Sequence, residues 1–339
     1  MGTYKIIIAG CGGMANAWVE YGKQRSDAKI VGLVDISEEQ AQKLANKHGL
    51  VVPIFKDVKK AAQATGANLV FDTTIPEVHK QIAMAAFEAG CDVMGEKPMA
   101  ASLKDAQMML EEAQNQGRFY AVMQNRRFNQ NIRGFREIIA QGNIGTTGFV
   151  NADFFLGAHF GGFRDAMASP LILDMAIHTF DQARFISGAD PVSVYCHEFN
   201  PPGSWYAGNA AAVCIFEMSD GSVFNYRGSW CAEGAPTSWE AQWRVTGTKG
   251  TAIWDGHAAP YYETIEPAEG KVFLNKFKRH EPIPPVMRNE GHPACLDEMF
   301  SALSENRKAE TDCSDNIKSM QMVFGALESA AQGKKIHFN

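Results

Sequence analysis

The chain has 339 residues, 45% of them hydrophobic and 21% charged, which is enough apolar material for two domains of ordinary size. Its formal net charge of −6 and pI near 5.9 argue against a general nucleic-acid binder or a protein held on an anionic membrane, because both need a basic face. The seven cysteines, at 11, 91, 196, 214, 231, 295 and 313, form no C-x-x-C pair and no zinc-type spacing, so reduced thiols in a cytoplasm are expected and a metal site is not.

A strand begins almost at once, no stretch reads as a signal peptide, and no apolar run approaches the length of a membrane span. The one basic cluster, Lys276 to His280, reads as a solvated loop between Gly270 and the prolines at 282, 284 and 285.

Tyr4 to Ala9 and Ile30 to Val34 are short apolar runs, each followed by helical spacing. Further strands are expected at 68–71, 91–94 and 119–123, with helices near 13–25, 37–48, 76–89 and 102–116. Short apolar strands alternating with helices indicate a parallel sheet buried on both faces, here a doubly wound Rossmann domain over 1–123.

After the first strand comes Gly10-Cys11-Gly12-Gly13-Met14-Ala15, a G-x-G-x-x-A turn leading into a helix. Gly10 makes the tight turn, Gly12 lets backbone approach a pyrophosphate, and the helix N-terminus favours the anion. Asp35 ends the second strand, 25 residues beyond Gly10, where a carboxylate can accept the ribose hydroxyls. Ile36 and Ser37 follow without an arginine, so a 2′-phosphate would be repelled and NAD is favoured over NADP.

Thr73-Thr74-Ile75-Pro76 follows the strand expected at 68–71, with Pro76 suited to a first helical position and the hydroxyls expected to face the cofactor. His79 lies one turn into that helix, as a capping or core residue or as part of the cofactor edge. The stretch ending Glu96-Lys97-Pro98 brings a strand to a bend, and proline after Lys97 disfavours helix there. Lys97 therefore emerges beyond a strand's carboxyl end, where ligands of open parallel sheets collect.

Together, the glycine turn, Asp35, the Thr73 to His79 segment and Glu96-Lys97-Pro98 resemble the Gfo/Idh/MocA oxidoreductase family, over nearly the whole chain. The resemblance implies that Glu96 and Lys97 lie beside the nicotinamide and that Lys97 contacts the reacting substrate. Asn125, just after the last strand of this domain, joins the cofactor-binding candidates.

The remainder, 124–339, is expected to be an α+β domain for substrate binding and oligomerisation, built on a large, open, mainly antiparallel sheet. The Arg126-Arg127-Phe128 stretch and the Gly142 to Gly145 turn match the family, which makes Arg127 a substrate-pocket candidate, although such arginines are often solvated or ion-paired. Ser169 to Ile186 reads as a largely buried helix, with Asp174, His178 and Asp181 in one polar stripe facing water or a lined cleft. The family's Asp-x-x-x-His motif falls on Asp174 and His178. Strands are expected at 192–198, 211–217, 222–228, 241–247 and 250–254, with hairpin turns at 219–221 and 247–250, and helices near 293–304 and 314–332. His159, Arg164 and Trp230 stand in or near loops and either line a pocket or serve as ordinary loop and core residues.

Oxidising a secondary alcohol needs a base on the hydroxyl proton and a group that stabilises the developing alkoxide. His178 is the candidate base and Lys97 the cation, while Asp174 holds a neighbouring hydroxyl or orients the assembly. The resemblance implies a sugar, cyclitol or related polyol as substrate. Apolar residues on the open sheet call for a cover, and the resemblance implies homodimers or homotetramers. The different reading is a non-catalytic NAD-sensing regulator or binding protein of the same fold.

Overall fold

The computed structural model describes residues 4–268, 270 and 272–338, so the outer limits of the two expected domains, at 1 and 339, lie outside the described residues. One compact unit holds the chain up to Asn125 together with His292–Met320, and the other holds Arg126–Gly291 and the chain from Gln321 onwards. This differs from a single break after 123, because residues 292–320 return to the first unit. Phe300 explains the return: its ring lies 5.3 Å from Tyr4, 5.9 Å from Tyr21 and 6.0 Å from Phe71.

The first unit runs β1 (Tyr4–Ala9), α1 (Ala15–Gln24), β2 (Ala28–Val34), α2 (Glu38–His48), β3 (Ile54–Phe55), α3 (Val58–Thr65), β4 (Leu69–Asp72), α4 (Pro76–Glu88), β5 (Asp92–Gly95), α5 (Leu103–Asn115) and β6 (Tyr120–Val122). Its sheet is parallel, in the order β3-β2-β1-β4-β5-β6. Ile6, Ile7, Ile8 and Ala9 of β1 and Leu69, Val70 and Phe71 of β4 are fully buried, as strands covered on both faces must be. Helix starts follow local chemistry. The side chains of Ser37, Asp57 and Ser102 accept N–H groups at the starts of α2, α3 and α5, and Pro76 occupies the first turn of α4. β3 and α3 were not foreseen: β3 has two residues, and the inner face of α3 consists of Val58 and two alanines.

In the second unit a single-turn helix (Asn125–Arg127) ends with its two arginines, and α6 (Gln130–Ala140) and β7 (Thr147–Phe155) follow. The expected helix over 169–186 is instead a π-helix at Leu171–Ala176 running into α7 (Ile177–Ser187). β8 (Pro191–Phe199), β9 (Ala211–Met218), β10 (Val223–Ser229), β11 (Gln242–Gly247), β12 (Gly250–Trp254), β13 (Tyr261–Ile265) and β14 (Phe277–His280) come next. The chain closes with α8 (Gly291–Ser304), α9 (Cys313–Gln332) and β15 (Ile336–His337).

The nine-stranded sheet has the order β14-β13-β12-β11-β7-β10-β9-β8-β15 and is antiparallel except where β10 runs parallel to β7. The turns at 219–221 and 247–250 are hairpins, as expected. The basic cluster is not a loop. Residues 277–280 pair with β13, where Tyr262 stacks on His280 at 4.6 Å and Arg279 lies 3.6 Å over the Tyr261 ring. Inside the unit, Phe180 of α7 packs edge-on against Phe216 at 4.9 Å and Tyr226 at 5.2 Å. On the other face of the strands, Tyr195, Phe199, Val213 and Ile215 are exposed.

Candidate active site

Strand order in the first unit reverses between β1 and β4, so a crevice opens beyond their carboxyl ends. Gly10 sits there at φ 84°, and a Cβ would come within 2.7 Å of Thr74 N and 2.8 Å of the Thr73 carbonyl. Only glycine fits. At Gly12 and Gly13 a Cβ would meet nothing within 4 Å. Met14, which precedes α1, is 45% exposed, and the helix has no side-chain cap and no acidic residue in its first turn. Asn16 and Ala17 N–H turn back onto Gly13 O and Met14 O at 3.4 and 3.2 Å, so the donors that the turn can offer a pyrophosphate lie ahead of them, in Gly12 to Ala15.

Asp35 is fixed by backbone donors, with Cys11 N–H to Oδ2 at 2.7 Å and Ser37 N–H to Oδ1 at 2.7 Å. Each carboxylate oxygen keeps acceptor capacity for a ribose hydroxyl. Cys11 itself is buried, and that burial, with the charge of Asp35, pushes its thiol up to about 12. Ile36 and Ile75 are largely exposed on the flanks of these turns.

The threonine hydroxyls do not face outward as expected. Thr73 Oγ1 donates to Gly10 O at 2.6 Å and Thr74 Oγ1 to Asp72 Oδ1 at 2.5 Å, so both brace the crevice. Asp72 is buried, and desolvation raises its pKa, opposed by the nearby His79. His79 belongs to the core: its ring nitrogens lie 2.9 Å from Pro98 O and 3.2 Å from Thr74 O. Through Pro98 it ties α4 to the bend carrying Lys97, where the Lys97–Pro98 peptide is cis and Lys97 is half-buried. Glu96 is buried and turned inward, accepting Trp18 Nε1 at 2.7 Å and Lys97 N–H at 3.3 Å. His292, which the sequence did not flag, comes within 4.0 Å of Glu96 and 3.2 Å of the Asn125 amide nitrogen.

In the second unit, Asp174 lies in the π-turn and His178 in the first turn of α7. π-Turns inside helices are frequent at functional sites. Asp174 Oδ2 accepts Arg164 Nε at 2.7 Å, and Arg164 lies over Phe160 and Phe163 at 5.0 and 4.8 Å. His178 is 6% exposed. His159 stacks on Trp205 at 3.7 Å and pairs with Glu233 at 2.7 Å.

Two candidates are displaced by this arrangement. Trp230 is buried between Phe154, Phe160 and Trp239. It is Trp239 that lines a cavity of about 360 Å³, with Leu156, Ala158, Glu233 and Pro236. Arg127 is also buried, with Nε and Nη2 each 2.6 Å from an oxygen of Asp181, so its fork grips α7. Neither a buried side chain nor a long-range ion pair leaves a local mark in the sequence.

Residues 4–124 match the model described as "Oxidoreductase family, NAD-binding Rossmann fold", and residues 132–253 match the GFO/IDH/MocA C-terminal domain. The chain belongs to the GFO/IDH/MocA oxidoreductase family. Among curated relatives of this GFO/IDH/MocA protein, the 1,5-anhydro-D-fructose reductase of Ensifer adhaerens is 23% identical over 96% of each chain. The myo-inositol 2-dehydrogenase of Thermotoga maritima is 26% identical over 56% of this chain and 57% of its own length. An oxidoreductase from Agrobacterium radiobacter, crystallised with NAD+, L-tartaric acid and magnesium, shares the fold at TM-score 0.85 and 21% identity, covering 98% of both chains. Among the described residues, no helix of this family member is long and apolar enough to cross a membrane.

Proposed function

We propose that the protein is an NAD-dependent dehydrogenase that oxidises a secondary hydroxyl of a sugar, cyclitol or related polyol, with Lys97, Asp174 and His178 as its catalytic residues. The observation that carries the reading is the π-turn, a geometry frequent at functional sites, which sets Asp174 and His178 on one largely buried helical stretch. Relatives named as sugar and inositol oxidoreductases support that substrate class.

The first unit contributes the cofactor site. Gly12, Gly13 and the N-terminus of α1 would hold the pyrophosphate, and Asp35 the ribose, with its charge disfavouring a 2′-phosphate. NAD, when bound, accepts the hydride. His178 takes the hydroxyl proton, Lys97 stabilises the oxygen as it gains negative charge, and Asp174, oriented by Arg164, accepts a neighbouring hydroxyl. Run in reverse, His178 returns the proton.

The experiment is NADH formation by the purified protein against inositols, aldoses, glycosides and acyclic polyols. Turnover confined to one of these classes supports the reading and names the class. Tight NAD binding with no turnover of any of them would replace it with a cofactor-sensing role.

We also propose a homodimer or homotetramer formed through the exposed sheet face that carries Tyr195, Phe199, Val213 and Ile215, which offers an apolar surface for self-association. Light scattering giving a monomer mass at micromolar concentration would refute it.

A further inference from the structure

Two successive arginines are tied to two successive residues of α7, Arg127 directly to Asp181 and Arg126 through Glu240 to Gln182. Arg127 holds Asp181 by a bidentate ion pair at 2.6 Å, with both side chains buried. Arg126 reaches Glu240 Oε1 at 2.9 Å and the carbonyl of Trp239, while Glu240 Oε2 accepts Gln182 Nε2 at 2.6 Å. Side chains at 181 and 182 leave a helix about 100° apart. One tether opposes sliding of the helix, and two in different directions also oppose its rotation. His178 lies three residues before Asp181, on the same face. Any turn of α7 about its axis would swing that imidazole.

The loop supplying Glu240 is fixed in its own right. Glu240 N–H donates to Ser238 Oγ at 2.9 Å, and Glu240 O accepts Trp243 Nε1 at 2.7 Å. Ala241, next to it, has a φ of 64°, a conformation alanine keeps only where the surroundings impose it. Strain in that loop is consistent with a carboxylate that has to face Arg126 and Gln182 at once. On the far side of Asp181, Arg184 Nη1 lies at 3.8 Å and its Nη2 binds Asp190 at 3.0 Å, so Asp181 keeps a cationic neighbour if Arg127 is changed.

We infer that Arg126 and Arg127 are positioning residues that fix the rotation of α7 and thereby the aim of His178, and that neither binds substrate. The inference rests on His178 being the base. A displacement of about 1 Å at a reacting group can cost up to about 10²-fold in rate.

The test uses the full chain with Arg127→Lys, Arg127→Gln, Arg126→Gln and Glu240→Gln. Measurements are kcat and KM on the active polyol, NAD affinity, and hydrogen exchange across residues 177–187. The expected result is a kcat lowered about tenfold or more with KM and NAD affinity within about threefold, and faster exchange confined to α7. Arg127→Lys should be milder than Arg127→Gln. Arg126→Gln combined with Glu240→Gln should be no worse than either alone, since both cut one tether. A raised KM at unchanged kcat and unchanged α7 exchange would make Arg127 a substrate ligand and overturn the inference. Unchanged values throughout would overturn it as well. If Arg127→Gln does not fold, the Arg126 tether, on the more exposed side, decides by the same criteria. His178→Ala is run in parallel. Full turnover in that variant would dismiss the base assignment, and α7 exchange would then judge the tethers alone.

Discussion

Replacing Gly10 and Gly12 one at a time by alanine separates folding from cofactor binding within a single turn. At Gly10 a Cβ is disfavoured by φ 84° and would press within 2.8 Å of the Thr73 and Thr74 backbone. The left-handed conformation costs roughly 1–2 kcal/mol. Forcing a methyl into packed backbone adds about 1–3 kcal/mol. Gly10→Ala should therefore lose about 2–5 kcal/mol, a large share of the roughly 5–15 kcal/mol that typically holds a domain. At Gly12 a Cβ meets nothing within 4 Å and the backbone is not left-handed, so Gly12→Ala should be as stable as the parent or slightly more so. Its methyl would instead occupy the space in front of α1, weakening NAD by at least about tenfold, or ~1.4 kcal/mol. Chemical denaturation measures the first effect and NAD titration the second. The account of the turn fails if Gly12→Ala binds NAD as tightly as the parent, or if Gly10→Ala keeps full stability.

NAD should bind more tightly than NADP, and Asp35→Ser should narrow the gap; equal binding of both by the parent would remove the basis for the ribose assignment. His178→Ala and Lys97→Met should each lower turnover roughly 10²-fold or more while NAD affinity stays nearly intact, as read from steady-state rates and titration. In the parent, the rate should rise with pH through one ionisation that disappears in His178→Ala, and an unaltered profile would send the search for the base elsewhere. Glu198 offers a stability test. Burial raises its pKa, Ser169 Oγ opposes the shift with a 2.7 Å hydrogen bond to Oε1, and Oε2 is buried without a partner. A carboxyl raised in this way favours the fold below its unfolded pKa and loses that benefit as pH rises through the folded pKa. Glu198→Gln should therefore leave Tm unchanged at acid pH and raise it near neutrality; a fall near neutrality would show that the ionised form is the one the fold prefers.

The Rossmann unit was legible because its signals are local. Gly10 takes a positive φ in its own turn, Asp35 accepts the Ser37 N–H two residues on, Pro76 fills the first turn of α4, and the β1 and β4 runs carry their burial in their composition. What escaped the sequence depends on distant partners. Arg127 reads as any helix-flanking arginine until Asp181 is found 54 residues away. His292 meets Glu96 and Asn125, both far from it in sequence, and residues 277–280 become a strand because β13 lies alongside. The π-turn is hidden as well, because its apolar spacing serves an α-helix equally well.

The return of residues 292–320 to the first unit means that the cofactor-binding half is not one uninterrupted piece of the gene product. A fragment ending at Asn125 would lack Phe300, leaving the rings of Tyr4, Tyr21 and Phe71 without their shared neighbour and Tyr21 without its 2.7 Å bond to Asp297. Grafting this unit onto another catalytic partner therefore takes three splice points, after 125, before 292 and after 320, and a single-cut chimera would inherit a nucleotide fold with an open flank.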